Sequence, residues 1–170
     1  LDELILKGHS AKEVIEISNR DDFFDPNLIL DNLNNSLNIL REKEQFTHVK
    51  MADFIENNYA KERLFHTPRH LSATLFKELM RQILALMNLP NDSLARSPLL
   101  KKERNFAHRL PIYPCVAKAL NLTFNIEKGT YYKFKNISYE KYVRKYIEYL
   151  FPELHKNPKT NKQESLSVIQ

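Results

Sequence analysis

Only two glycines, Gly8 and Gly129, interrupt 170 residues. Tight hairpins, phosphate-cradling loops and collagen-type repeats draw on glycine for positive φ and close backbone approach, so each is disfavoured here. Helices joined by polar or proline-marked turns are what remains. With 42% hydrophobic residues and 11% aromatics, a chain of this length can bury one core. The expectation is a mostly α, compact single domain over residues 1–155, a bundle of about seven helices with one small β-hairpin, then a flexible polar tail at 156–170. Because the chain opens on Leu1, it is also expected to be excised from a larger protein.

The helices announce themselves by caps and by apolar spacing. The first short piece, "DELILK", stops at Gly8. Ser10 and Glu13 form a capping box before Val14, Ile15 and Ile17. Asp25 caps and Pro26 opens a longer helix in which Leu30, Leu33, Leu37 and Leu40 share a face. A third helix is expected from Thr47 to Arg63, with Met51, Phe54 and Ile55 inward. A fourth is expected to start at "HTPRH", where Thr67 caps and Pro68 begins the first turn. From Leu71 to Met87 its apolar residues cover an arc wide enough to demand packing on more than one side. "SPLLKKERNFAHR" reads as a helix from Pro98 to Arg109, and Cys115 to Leu120 as a short one. The period then changes. "LTFNIEKGTYYKFK" alternates on both sides of Lys128–Gly129 and predicts a hairpin around residues 122–135, with Tyr131, Lys133 and Lys135 on one strand face. Ser138 caps the last helix, where Tyr139, Tyr142, Val143, Tyr146, Ile147, Leu150 and Phe151 keep helical spacing, and Pro152 ends it.

Enzyme chemistry finds little support in these residues. One cysteine, Cys115, permits neither an intrachain disulfide nor a multi-cysteine zinc site, and it reads as a small buried apolar residue in a reducing compartment. His66 and His70 have ligand-like spacing, but His66 precedes the expected cap and no carboxylate follows at metalloprotease spacing. Asp21, Asp22 and Asp25 fit a turn that caps a helix. Nucleophile-elbow, Walker and dinucleotide signatures are missing. The expectation is therefore a non-enzymatic binding module with no metal and no cofactor.

Charge supplies the functional signal. Residues 1–60 hold 6 Lys/Arg against 12 Asp/Glu, a net −6, whereas residues 61–170 hold 20 against 9, a net +11. Such separation favours a polyanionic partner at the basic end, unless the two ends neutralise each other in the fold. Phosphate recognition draws on converging guanidinium, ammonium and imidazolium donors. The candidates are Lys101, Lys102, Arg104, His108 and Arg109 on the cationic stretch, Arg63, Arg69 and His70 near one helix start, and Lys133 and Lys135 on the hairpin. Leu94, Leu99 and Leu100 beside the cations have the composition of a shallow membrane contact. The leading expectation is recognition of a phosphorylated anionic partner, a phosphoinositide or acidic lipid headgroup at a membrane surface. The alternatives are a nucleic-acid-binding accessory domain, with lysines and aromatics interleaved for stacking, and a protein–protein adaptor using acidic residues 1–60. No segment reaches the roughly 20 apolar residues of a membrane span, so a cytoplasmic location, peripheral to a membrane, is expected.

Overall fold

The computed structural model describes residues 1–90, 108–126, 131–132 and 135–151. The described residues are mostly helical, as expected, with seven helices and two small antiparallel sheets. The helices are α1 (Asp2–Leu6), α2 (Ala11–Ser18), α3 (Pro26–Glu44), α4 (Ala52–Asn58), α5 (Ala73–Leu86), α6 (Pro114–Ala119) and α7 (Tyr139–Leu150). The strands are β1 (Phe65–Thr67), β2 (His70–Leu71), β3 (His108–Arg109), β4 (Tyr131–Tyr132) and β5 (Lys135–Asn136). One sheet pairs β1 with β2, and the other runs β3-β4-β5.

Helix starts follow local hydrogen bonding. Gly8, at φ +84°, turns the chain out of α1. Ser10 accepts from Glu13 N at 3.3 Å while Ser10 N donates to the Glu13 carboxylate at 2.7 Å, closing the capping box. Asp25 accepts from Asn27 N at 2.9 Å with Pro26 next to it. Ser138 accepts from Lys141 N at 3.2 Å. Glu44, buried at the end of α3, does the same for a neighbour: its Oε1 accepts from Met51 N and, at 3.0 Å, from Ala52 N, so the carboxylate sits at the start of α4. That placement satisfies orphan amides and puts negative charge at the positive end of the helix.

The principal core joins the two ends of the described chain. Ile5 and the α2 residues Val14 and Ile15 pack on Val143 and Ile147 of α7, with Leu1, Leu4, Ala11, Tyr139 and Phe151 around them. Tyr139 donates to Ser18 Oγ at 2.8 Å and Tyr146 donates to Asp2 Oδ1 at 2.7 Å, fixing the register of that packing. Phe23, Phe24, Tyr113 and Tyr139 form an aromatic run with neighbouring centroids 4.5–5.9 Å apart, which seats α6 against the turn before α3. Leu37 is the deeply buried apolar residue of α3, the helix that contacts α6 and α4.

Four sequence expectations need adjusting. The expected Thr47–Arg63 helix is shorter, Ala52–Asn58. The expected start at Thr67–Pro68 is a hairpin instead: Ser72 is the cap, accepting from Leu75 N at 3.2 Å, and Ser72 N closes the hairpin on Leu64 O at 2.8 Å. On α5 only Leu75 is fully buried, Leu79, Met80, Ile83 and Leu84 are half-buried, and Phe76 is exposed, so its wide apolar arc is covered only in part. The C-terminal hairpin lies at 131–136 rather than around 122–135, because residues 122–126 form no strand and β4 pairs with β3 on its other edge. Thr123 N donates instead to Ala60 O at 2.7 Å, which takes the amide a strand there would have used. In the observed register Tyr132 pairs with Lys135 and Tyr131 with Asn136. Lys133, Leu94, Leu99, Leu100, Lys101, Lys102, Arg104 and the tail at 156–170 lie outside the described residues.

Candidate functional site

The candidate site is built on "RLFHTPRH", residues 63–70. β1 and β2 pair Phe65 with Leu71 and Thr67 with His70, so the register slips at His66. A β-bulge of this kind re-aims the extra residue and frees its backbone. Both consequences are visible. The His66 side chain is 2% exposed, and its carbonyl accepts from Leu110 N at 3.0 Å. That one hydrogen bond docks the end of β3 against the hairpin.

Arg63 reinforces the junction. Its Nη1 donates to Leu110 O at 2.8 Å, and its guanidinium lies over the Phe124 ring, 6.0 Å from the centroid. Arg109, half-buried, precedes Leu110, and its strand partner is Tyr131. Arg63 and His66 thus both bond the backbone of Leu110, the residue after Arg109, although the two segments are far apart in sequence. On the outer turn, Thr67 Oγ1 and His70 Nδ1 are hydrogen bonded at 2.7 Å, and Thr67 Oγ1 accepts from Arg69 N at 3.3 Å. Glu62 lies at the base of the hairpin, where its carboxylate accepts from Thr74 Oγ1 at 2.8 Å.

Of the sequence-derived anion-binding residues, Arg63 bonds the backbone of the residue that follows Arg109, and Arg69 and His70 occupy the turn and β2 of the same hairpin. His108 and Lys135 are both register partners of Tyr132, on β3 and β5. The expectation that Arg109 ends a helix is corrected: residues 108–109 are strand. Sequence reading missed Thr67 as the partner of His70, having taken it for a cap, and missed Phe124 beneath Arg63. No local spacing signals the second pair. Among the described residues, the Lys118–Asp21 ion pair joins the basic and acidic parts of the chain, and Arg41–Asp53, Arg41–Glu56, Arg81–Glu78 and Arg144–Glu140 each lie within one part.

The fold and this corner define a mostly helical protein whose cationic side chains are organised by a bulged hairpin and a short strand from later in the chain. The family described as polysaccharide biosynthesis enzyme WcbI matches residues 1–92, just over half of the chain and including the whole hairpin, and the chain belongs to that family. No curated protein and no solved structure matches it. Among the described residues, no helix is long and apolar enough to cross a membrane.

Proposed function

We propose that this chain serves polysaccharide biosynthesis by holding a phosphorylated partner, with the phosphate bound where the bulged hairpin meets β3. The observation that carries the reading is the Leu110 N to His66 O hydrogen bond, with Arg109 beside Leu110 and Arg63 on the Leu110 carbonyl. Sugars are activated for polymer assembly as phosphate or pyrophosphate esters, so an arginine- and histidine-bearing corner suits the family's chemistry. Arg63 and Arg109 supply planar guanidinium donors, Arg69 adds charge at the hairpin turn, and His70 adds an imidazole beside Thr67.

Two carriers present the same phosphate chemistry. A lipid-borne phosphate would use Lys101, Lys102 and Arg104 with Leu94, Leu99 and Leu100 at an acidic lipid surface, whereas a nucleotide-borne phosphate needs only the corner. Calorimetric titration of the full chain with inorganic pyrophosphate and with UDP, run beside flotation with vesicles containing a phosphoinositide, tests both. Binding of any of the three that falls about tenfold or more in an Arg63→Ala, Arg109→Ala double variant supports the site, since each charge-assisted bond contributes roughly 1.5–3 kcal/mol. Vesicle binding lost on replacing Leu99 and Leu100 by serine assigns the lipid carrier. No binding to any probe, or binding indifferent to the arginine changes, overturns the reading.

A further inference from the structure

The outer side of α3 carries two neighbouring rows that nothing in the described fold covers. Leu28, Asn32, Asn35 and Ile39 follow one another at i, i+4, i+7 and i+11, on the side of the helix opposite buried Leu37. Asn27, Asp31, Asn34 and Asn38 run alongside. All eight are exposed, Leu28 by 54% and Ile39 by 51%, and Phe46 continues the first row beyond the helix end at 89% exposed.

The asparagines are the unusual element. Asparagine is a poor helix former because its amide competes for backbone partners, and it usually repays that by capping or back-bonding. Asn57 and Asn58 of α4 do so, donating to Asp53 O at 2.8 Å and Phe54 O at 2.7 Å. The five asparagines of α3 make no side-chain hydrogen bond among the described residues. Five carboxamides therefore stand ready on one helix, at a cost in helix propensity and with no local return.

The chemistry of the face selects its partner. A carboxamide offers one acceptor and two donors without charge, and a sugar hydroxyl offers the matching pair. From Asn27 to Ile39 the rows contain no cation, and Asp31 there, with Glu42 beside Lys43 further on, disfavours a phosphate or nucleic-acid backbone. Leu28, Ile39 and Phe46 supply apolar surface for the C–H faces of pyranose rings. The helix advances about 5.4 Å per turn, close to the length of one hexose residue, so successive turns meet successive sugars. We infer that the outer face of α3 is a docking track for a neutral stretch of polysaccharide, about three sugar units long. The occupant's class rests on the polysaccharide reading of the family; the track does not depend on the phosphate corner.

Affinity electrophoresis of the full chain through gels containing dextran, mannan or a soluble β-glucan tests it. Retardation is expected in at least one gel, and an Asn34→Ala, Asn35→Ala, Asn38→Ala variant is expected to lose it at least several-fold while melting at the same or a higher temperature, since alanine is the better helix former. The Arg63→Ala, Arg109→Ala variant should keep its retardation. Lost pyrophosphate binding with intact retardation would then separate the two sites, and intact pyrophosphate binding without retardation would sink the track alone. Retardation unchanged in the asparagine variant, or absent from all three gels, overturns the inference. A dimer in sedimentation that the same variant disperses would also overturn it, because the occupant would then be a second copy of the chain.

Discussion

Gln82 of α5 is hydrogen bonded to both backbone groups of Lys50. Lys50 N donates to Gln82 Oε1 at 2.8 Å and Gln82 Nε2 donates to Lys50 O at 2.7 Å, so the side-chain amide pairs with a peptide unit as a neighbouring strand would. Glu44 holds the same connection from its other side through Met51 N and Ala52 N. The loop between α3 and α4 is thereby clasped between the end of one helix and the middle of another.

Gln82→Ala should destabilise the fold by about 1–3 kcal/mol, the net worth of two intramolecular hydrogen bonds. Gln82→Glu should recover little, because it keeps the acceptor for Lys50 N and loses the donor to Lys50 O. Urea denaturation of the three proteins checks this. An additive loss in a Gln82→Ala, Glu44→Ala double variant would show that the two residues do not act on one loop, since residues sharing a partner couple by 0.5–3 kcal/mol or so.

Arg63 tests the junction between hairpin and β3. Its guanidinium donates to Leu110 O and lies over Phe124. Lysine keeps the charge but cannot reproduce the planar fork. Arg63→Lys is expected to raise exchange of the Leu110 amide, which donates to His66 O, nearly as much as Arg63→Ala does. Exchange unchanged in both variants would mean that the Leu110–His66 bond holds the corner unaided.

How far sequence reaches into this fold depends on where each signal is satisfied. Ser10, Asp25 and Ser138 were legible as caps because their partners lie two or three residues on. The cap is Ser72, five residues beyond the expected Thr67, and contacts outside the local pattern decide it: Leu110 N takes the carbonyl of His66, and the hairpin closes from Ser72 N to Leu64 O. Likewise, alternation from Leu122 to Ile126 suggests a strand, yet Thr123 N is already committed to Ala60 O. The corner shows the same division. Its arginines and His70 stand out by residue type, whereas the bulge that turns His66 inward and the ring under Arg63 come from contacts between remote segments.

Tyr113 gives the fold an alkaline limit. Burial, then the neighbouring Tyr139, Tyr146, Tyr142 and Cys115, push its phenol from 10.0 up to about 12. A raised native value means that, between about 10 and 12, the unfolded chain has released a proton that the folded chain retains. Stability from this group is complete below about 10 and falls as pH rises toward 12. Tyr113→Phe should flatten that fall without changing the midpoint of denaturation at neutral pH by more than the lost hydroxyl warrants. Melting curves at pH 8, 10 and 11 read it directly; an identical alkaline decline in the variant would exclude Tyr113 as its source.

Val143 and Ile147 put α7 and the first two helices into one cooperative unit. Both are buried, at 0% and 4% exposure, against Ile5, Val14 and Ile15. Ile147→Ala removes buried methyl and methylene groups from a packed cluster and should cost about 2–5 kcal/mol. Because Tyr139–Ser18 and Tyr146–Asp2 bond across the same interface, the loss should appear in both ends of the described chain together. Native-state hydrogen exchange should therefore show the amides of α2 and of α7 losing protection by the same factor. Protection lost in α7 while α2 keeps its own would mean that α1 and α2 are held by contacts other than this core, and the two ends would have to be treated as separate folding units.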